Sequence, residues 1–315
     1  MADIYLHSKL SEAVMKDIKQ PLNQKILFVG AQGPDPMYYN LSKEAGKEYR
    51  YFADRMHDTN TKLFFKSMVS YVKGHLNTNT YSFMVGFICH YALDSTIHPY
   101  VYHNVGIYQK DKPDTHQYKG LHLKFERSID AVMIQKDHKI PSRKFKLTRE
   151  YYPAIDLPDD VCKIMEHTLK NTYGKDLGGM MYCKAVKMMY NNVKYVITDR
   201  FGFKKLILRL MNLFTKSEMI LKDLSFFNHV EAYDFLNEQK KVWYHPVTNA
   251  PSNESVEDLF EKARVFALEL IKEVDAYLND TKSVNLDEVF MNLSYNTGLD
   301  CDLHDEMKHF NNYRK

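Results

Sequence analysis

The chain has 315 residues, of which 44% are hydrophobic and 26% are charged, and its formal net charge is +3 with the histidines neutral. These values are ordinary for a folded globular protein that buries one substantial core or two modest ones. So small a charge disfavours a nucleic-acid partner, and no apolar run is long enough to span a membrane. Because no signal peptide is visible, we expect a cytoplasmic protein.

Apolar residues recur at helical spacing along nearly the whole chain, so we expect an all-α multi-helix bundle. The stretch 25–30 is the only candidate strand, and it is short and has no second strand to pair with. Pro99 is expected to end one helix, and the box Ser255–Asp258 is expected to begin the last one. The predicted helices cover residues 8–19, 41–56, 61–76, 80–97, 118–136, 159–171, 177–197, 204–222 and 256–278.

We expect one domain over residues 1–315, with a metal-site lobe at about 1–140 and a helical extension at about 150–315. Nine of the 14 histidines precede residue 140, which places the chemistry in the first lobe. The four cysteines lie far apart without a Cys-x-x-Cys pair, and this argues against a thiolate zinc site and a disulfide scaffold. Cys89 and Cys183 lie in apolar helical stretches and are expected to be buried thiols.

Two pairs of metal-ligand residues recur at a spacing of four. This spacing places His90 with Asp94 on one face of a helix, and His122 with Glu126 on one face of another. His98 follows one turn after the first pair. Imidazole nitrogens and carboxylate oxygens are standard zinc ligands, and two helices that face each other can hold more than one ion.

Further ligand-type residues gather at the loop–helix junctions of the first lobe. Eight such residues suit two or three zinc ions at three or four ligands per ion. Ions bridged by a carboxylate lower the pKa of a shared water and clamp phosphate oxygens, so such a site is best suited to phosphodiester hydrolysis. Asp35 could be a ligand, the general base for that water, or both. The eight candidates are His7, Asp35, His57, His90, Asp94, His98, His122 and Glu126.

Taken in order, these motifs resemble the zinc-dependent phospholipase C family, which includes the all-α catalytic domain of the clostridial alpha-toxin. The family's Gly-x-x-x-Pro-Asp element is matched by Gly30 to Asp35. Its next metal histidine is matched by His57, and its early histidine on the first helix is matched by His7. Its His-x3-Asp with a later His-Pro, and its His-x3-Glu, are matched by His90, Asp94, His98, Pro99, His122 and Glu126. The C-terminal half resembles the family only in being helical.

The resemblance implies a phospholipase C that acts on phospholipid head groups or another small phosphodiester, with Asp35 at the nucleophilic water. It implies two or three zinc ions. The family completes the third site with an N-terminal tryptophan, whereas the single tryptophan of this chain is Trp243. The implied ligand sets are Asp35, His57, His90 and Asp94 for one ion, His98, His122 and Glu126 for a second, and His7 with Asp94 for a third.

Three other interpretations stay open. Nucleases of the P1 type have a similar helical trizinc site, so a zinc phosphodiesterase that acts on nucleotides or nucleic acid is one alternative. Asp58 beside His57 also permits an HD-type phosphohydrolase, although that fold needs no Gly-Pro-Asp loop. A non-catalytic zinc- or lipid-binding protein is a third, because fold similarity alone does not settle the substrate.

Residues 200–222 alternate basic and large apolar side chains. Such a helix could lie on an anionic membrane as a peripheral contact, but we expect one of its faces to pack in the core. His103 and His116 are expected to lie in a solvated loop between the ligand helices. Four tyrosines near the proposed ligands could line a choline or acyl-glycerol pocket or simply pack: Tyr38, Tyr39, Tyr100 and Tyr102.

Overall fold

The computed structural model of the protein describes residues 4–42, 44–199, 201, 203–214, 230–303 and 306–314. Within these ranges nearly all regular structure is helical, which confirms the all-α prediction. The α-helices are α1 (Ile4–Asp17), α2 (Gln24–Gly30), α3 (Ala45–Asp58), α4 (Thr61–Gly74), α5 (Thr78–Val105), α6 (Leu121–His138), α7 (Leu147–Glu150), α8 (Asp159–Tyr173), α9 (Gly178–Asn192), α10 (Phe203–Phe214), α11 (Val256–Leu278) and α12 (Leu286–Val289). Short 3-10 turns cover Asp35–Tyr39, Pro113–Tyr118, Ser142–Lys144 and Cys301–Leu303, and a π-helical turn covers Val193–Ile197. Strands β1 (Trp243–Tyr244) and β2 (Pro251–Ser252) pair antiparallel.

Helix α5 is the centre of the fold. It is apolar on all sides and nearly all of its 28 residues are buried, as expected for a helix enclosed by others. It contacts α1, α2, α4, α6, α8 and α11. A Cβ added to Gly30 would lie 2.3 Å from the carbonyl oxygen of Phe83, and one added to Gly86 would lie 2.3 Å from that of Leu27. The two glycines therefore let the backbone of α2 lie directly against α5.

Helix α5 continues through Pro99 to Val105, so the prediction that Pro99 ends it is wrong. A proline inside a helix costs about 3 kcal/mol because it removes one hydrogen bond and crowds the preceding turn. The residues beyond it are buried: Tyr100 is 3% exposed, and Val101 and Val105 are fully enclosed. Burying each such side chain stabilises the fold by about 1.5–3 kcal/mol, which together exceeds the cost of the proline.

The stretch 25–30 is helical rather than extended, because it belongs to α2. Asn23 caps this helix, since its side chain accepts a hydrogen bond from the N–H of Ile26. The residues from Ile26 to Gly30 are buried. The predicted helix over 256–278 is confirmed by α11, which begins with both hydrogen bonds of the box formed by Ser255 and Asp258.

A disulfide joins α8 to α9 through Cys162 and Cys183. The prediction of a buried thiol at Cys183 is therefore wrong, whereas Cys89 is the buried free thiol that we expected. The two bonded cysteines are 21 residues apart, one on each of two packed helices, so no short spacing motif marks them. Disulfides are rare in the cytosol. The cytoplasmic location stays a prediction, and this pairing gives it no support.

Helix α10 covers only part of the predicted helix over 204–222, and residues 215–222 lie outside the described residues. Its apolar side chains do not pack in the core: Leu206, Ile207 and Leu210 are each more than half exposed. The expectation that one apolar face packs in the core is therefore wrong for the described part of this helix. Among the described residues, no helix is both long enough and apolar enough to cross a bilayer.

Candidate metal centre

Helix α5 supplies three donors that are one turn apart. His90, Asp94 and His98 are at most 1% exposed. Oδ2 of Asp94 lies 3.0 Å from Nε2 of His90, and Oδ1 of Asp94 lies 3.5 Å from Nε2 of His98. One buried carboxylate thus directs one oxygen toward each imidazole, as the spacing of four predicts.

Three more donors approach α5 from other elements. Asp35 begins the 3-10 turn after α2, and its Oδ1 lies 3.4 Å from Nε2 of His57, which is in the last turn of α3. His7 comes from α1, and its Nε2 lies 3.3 Å from Oδ1 of Asp94. The rings of His7 and His90 are stacked with their centroids 4.1 Å apart. Donors from α1, from α3 and from the 3-10 turn therefore lie beside the donors of the central helix α5.

Gly33 shapes the loop that leads to Asp35. Its φ of +49° is left-handed, and a Cβ there would lie 2.3 Å from Cδ2 of His90. Any side chain at this position would both strain the backbone and displace the imidazole. The carbonyl of Gly33 accepts a 2.7 Å hydrogen bond from the hydroxyl of Tyr182, which anchors the loop to α9.

Helix α6 supplies the last two donors. Oε1 of Glu126 lies 3.0 Å from Nε2 of His122 and 3.3 Å from Nε2 of His98. The side chain of His122 is 29% exposed, whereas that of Glu126 is 1% exposed. The centre therefore opens to solvent on the side of His122.

Helix α6 also fixes the start of α1. Asp130, one turn after Glu126, accepts hydrogen bonds from the main-chain N–H groups of Tyr5 at 2.7 Å and Leu6 at 3.1 Å. The first N–H groups of a helix have no partner within the helix, and a carboxylate near them is also favoured by the helix dipole. This contact positions the turn of α1 that carries His7.

The structure brings all eight candidates together in three groups, and within each group the donor atoms lie within 4.8 Å of one another. One group has the membership that the resemblance implies. The set of four implied for the first ion is divided, and His90 is shared between two groups. The groups are His98 with His122 and Glu126, Asp35 with His57 and His90, and His7 with His90 and Asp94. That these residues ligate ions stays a prediction.

The orientation of the imidazoles suits zinc. Three of them are held through Nδ1 by a main-chain carbonyl: His57 by Ala53 at 2.8 Å, His90 by Ala31 at 3.1 Å, and His98 by Tyr295 at 2.9 Å. An Nδ1–H that donates to a carbonyl leaves the lone pair on Nε2, which faces the cluster. Among the described residues, these three Nε2 atoms and both oxygens of Asp94 are buried without a hydrogen-bond partner. Buried polar atoms are rarely left in this state, and imidazole with carboxylate is the donor set of zinc.

Burial and neighbouring charges set the protonation of the donors. Burial lowers the pKa of His90 and His98, although the Asp94 carboxylate acts in the opposite direction. Both imidazoles are therefore favoured in the neutral form that binds metal. Burial would raise the pKa of Asp94, but the histidines around it hold that pKa well below its usual range. Burial also acts to lower the pKa of His57, but the nearby Asp35 carboxylate outweighs this effect and raises that pKa.

Tyr295, near the C-terminal end of the chain, also contacts this centre. The N–H of Tyr295 donates to the carbonyl of His57 at 2.7 Å, and the carbonyl of Tyr295 holds His98. The ring of Tyr295 is fully buried, 5.2 Å from that of His57 and 5.7 Å from that of His90. Sequence reasoning missed this residue, because a main-chain carbonyl leaves no mark in a pattern of side chains.

Two half-buried tyrosines lie beside the donors, Tyr38 and Tyr102. The ring of Tyr102 lies 4.8 Å from that of His122, and its hydroxyl donates to Oδ1 of Asn296 at 3.1 Å. Tyr38 lies 5.7 Å from His57, and its hydroxyl donates to Asp54 at 2.7 Å. By contrast, Tyr100 is 3% exposed and packs in the core.

Three polar residues that the sequence analysis singled out lie apart from the three groups: Asp58, His103 and His116. Asp58 is exposed at the end of α3, so the His57–Asp58 pair does not act as one ligand pair. His103 is in the last turn of α5 and is 8% exposed, so the expectation of a solvated loop is wrong for it. His116 is exposed in the 3-10 turn Pro113–Tyr118, as we expected.

Comparison with known proteins gives one match. The family model of zinc-dependent phospholipase C matches residues 6–174, which is more than half of the chain and includes all eight candidate ligands. No curated protein and no solved structure gives a significant match.

Proposed function

Since the chain belongs to the zinc-dependent phospholipase C family, and is thus a zinc-dependent hydrolase of phospholipids, we propose that it cleaves the bond between the glycerol and the phosphate of its substrate. The observation that supports this most strongly is the gathering of eight donors in three groups around the central helix α5, seven of the eight being buried. Such a centre is suited to phosphate oxygens, which carry negative charge and need several positive charges near them. We propose two or three zinc ions, held by the three groups of donors.

Zinc bound in these groups would supply positive charge to the phosphate oxygens and lower the pKa of a water near them. The residues of the chain hold the donors in place and position the substrate. The carbonyls of Ala31, Ala53 and Tyr295 keep the imidazoles fixed, so the donors need no rearrangement when substrate arrives. We place the incoming phosphodiester beside His122, because this is the one donor of the eight that is not buried.

In the proposed step, the oxygen of a water attacks phosphorus while a carboxylate oxygen of Asp35 accepts its proton. The bond between phosphorus and the glycerol oxygen breaks, and the glycerol oxygen takes up the proton that Asp35 accepted, relayed through water, as diacylglycerol leaves. The phosphorylated head group is the second product. Asp35 suits the role of base because it is a carboxylate of the donor cluster and is fixed in the 3-10 turn that follows Gly33.

The test compares Asp35→Asn with wild type on short-chain phosphatidylcholine, with zinc content measured on the same samples. The substitution keeps the shape of the side chain but removes its charge and its proton acceptor. We expect the rate to fall by roughly two to four orders of magnitude, while the zinc held by His98, His122 and Glu126 is retained. The control is His75→Ala, an exposed histidine at the end of α4, which should lose less than about threefold.

Parallel assays separate the alternatives. Faster hydrolysis of single-stranded DNA than of any phospholipid would support the P1-type nuclease instead. Failure on every phosphodiester by fully zinc-loaded protein would support a non-catalytic zinc- or lipid-binding protein. A wild-type rate in Asp35→Asn would show that Asp35 is not the base.

We also propose a peripheral membrane contact, because a phospholipase must reach the lipid of a bilayer.

A further inference from the structure

Helix α10 presents its apolar face to solvent. Its large apolar residues recur at the spacing of one helical face, which in a globular protein normally faces the core. Here they are exposed by about half or more: Phe203 by 67%, Leu206 by 56%, Ile207 by 56%, Leu210 by 52% and Met211 by 47%. An apolar stripe of this length on one described helix indicates that another apolar phase covers it.

The first turn of the same helix is held to the segment that precedes it. Nζ of Lys204 donates to the carbonyl of Thr198 at 2.7 Å, and the N–H of Lys205 donates to Oδ2 of Asp199 at 2.8 Å. Asp199 itself is 3% exposed. These contacts fix the first turn of α10 to the preceding segment through a buried carboxylate and a main-chain carbonyl.

The charges around this face are positive. Between residues 194 and 211 the only acidic residue is Asp199, which is buried, whereas five residues are Lys or Arg. Of these, Lys194 and Arg209 are exposed. Two exposed aromatic residues flank the helix, Tyr195 at 60% and Phe201 at 74%. Exposed cations and aromatic rings beside an apolar stripe are typical of helices that lie in the plane of an anionic membrane surface.

We propose that this α10 surface (residues 194, 195, 201, 203, 206, 207 and 209–211) docks the protein on anionic phospholipid membranes. The proposal deepens the proposed function, on which it rests for its choice of lipid as the partner. The helix has 12 residues, about 18 Å, so it lies along the interface rather than across the bilayer. A second copy of the chain is the less suitable occupant, because a symmetric pair would bring the cations of this surface together.

Flotation of the full-length protein with vesicles tests the proposal. Wild type should bind vesicles of phosphatidylserine and phosphatidylcholine at least about tenfold more tightly than vesicles of phosphatidylcholine alone, and raised salt should weaken that binding. Ile207→Asp with Leu210→Asp should reduce binding at least about tenfold. The matched control is Leu177→Asp with Met180→Asp, which places the same two charges at other apolar residues that are 61% and 50% exposed; it should bind as wild type does.

A soluble substrate separates this proposal from the proposed function. Hydrolysis of monomeric p-nitrophenyl phosphorylcholine should be the same in wild type and the α10 variant, since no residue of the α10 surface belongs to the metal centre. Vesicle binding without hydrolysis of any substrate would leave the docking surface supported and the proposed activity overturned. Unchanged vesicle binding by the α10 variant would overturn the docking surface. So would a wild-type dimer that becomes monomeric in the variant, without vesicle binding by either.

Discussion

The main-chain carbonyl of Tyr295 accepts a 2.9 Å hydrogen bond from Nδ1 of His98, a residue 197 positions earlier in the chain. The main-chain N–H of Tyr295 donates a hydrogen bond to the carbonyl of His57. One peptide segment near the C-terminus therefore contacts two histidines that belong to different donor groups. Partners of this kind orient metal-binding histidines, and the loss of one typically lowers metal affinity by about 10–100-fold.

Gly298→Ala should weaken the zinc group of His98. Gly298 has a φ of +66°, and a Cβ there would lie 2.3 Å from the carbonyl oxygen of Ser95 on α5. The loop must then move away from α5 and take the carbonyl of Tyr295 with it. We expect zinc affinity in this group to fall by roughly 10–100-fold, as measured by competition with a chromophoric chelator.

Gly174→Ala is the control for backbone strain. Gly174 has a similar φ of +69°, but a Cβ there would meet no atom within 4 Å. This variant should keep the zinc affinity of wild type. An equal loss in both variants, or none in a folded Gly298→Ala protein, would contradict the positioning role of the loop.

Zinc content tests the assignment of donors. Wild type should hold at least two zinc ions per chain, counted by native mass spectrometry. The double variant His90→Ala, His122→Ala should retain almost none, because together the two changes remove a donor from all three groups. One ion or fewer in wild type, or full occupancy in the double variant, would show that the donors are assigned wrongly.

Chelation should destabilise the protein reversibly. The donors lie on α1, α3, α5, α6 and one turn, so an ion bound to the native state alone stabilises the arrangement of these elements. We expect the melting temperature to fall by several degrees or more after zinc removal and to recover when zinc is added back. An unchanged melting temperature after verified removal would mean that the elements are held together without metal.

Loss of the disulfide should lower the free energy of unfolding by about 3 kcal/mol, since it closes a loop of about 20 residues. Urea denaturation should give the same loss for Cys162→Ser, for Cys183→Ser and for the double variant, because each removes the same bond. Under reducing conditions the difference from wild type should vanish. Losses that add in the double variant would contradict a shared bond.

The parts that could be predicted from the sequence depend on neighbours along the chain. A spacing of four places His90 with Asp94 and His122 with Glu126, and the structure has both pairs. The capping box of Ser255 and Asp258 predicts the first residue of α11 correctly, because its two hydrogen bonds are local. The geometry of such contacts is determined by residues three or four positions apart in the chain, so the sequence is enough to predict it.

The failures concern contacts between distant residues. Pro99 was expected to stop α5, but the burial of Tyr100 and Val105 outweighs the local cost. The apolar residues of α10 have the same periodicity whether their face lies in a core or in a membrane, so periodicity could not show its direction. The contact of Tyr295 with His98 uses a main-chain atom, which every residue has.

The position of Asp94 also has a thermodynamic consequence. Its Oδ1 lies nearest His7 and His98, and its Oδ2 lies nearest His90 and His57. If ions occupy both sides of this carboxylate, each draws on the same negative charge. Filling one position then changes the affinity of the other, and reciprocity requires the same factor in both directions. Zinc titrations should therefore show negative cooperativity rather than independent binding, and Asp94→Asn should alter the affinity of more than one ion.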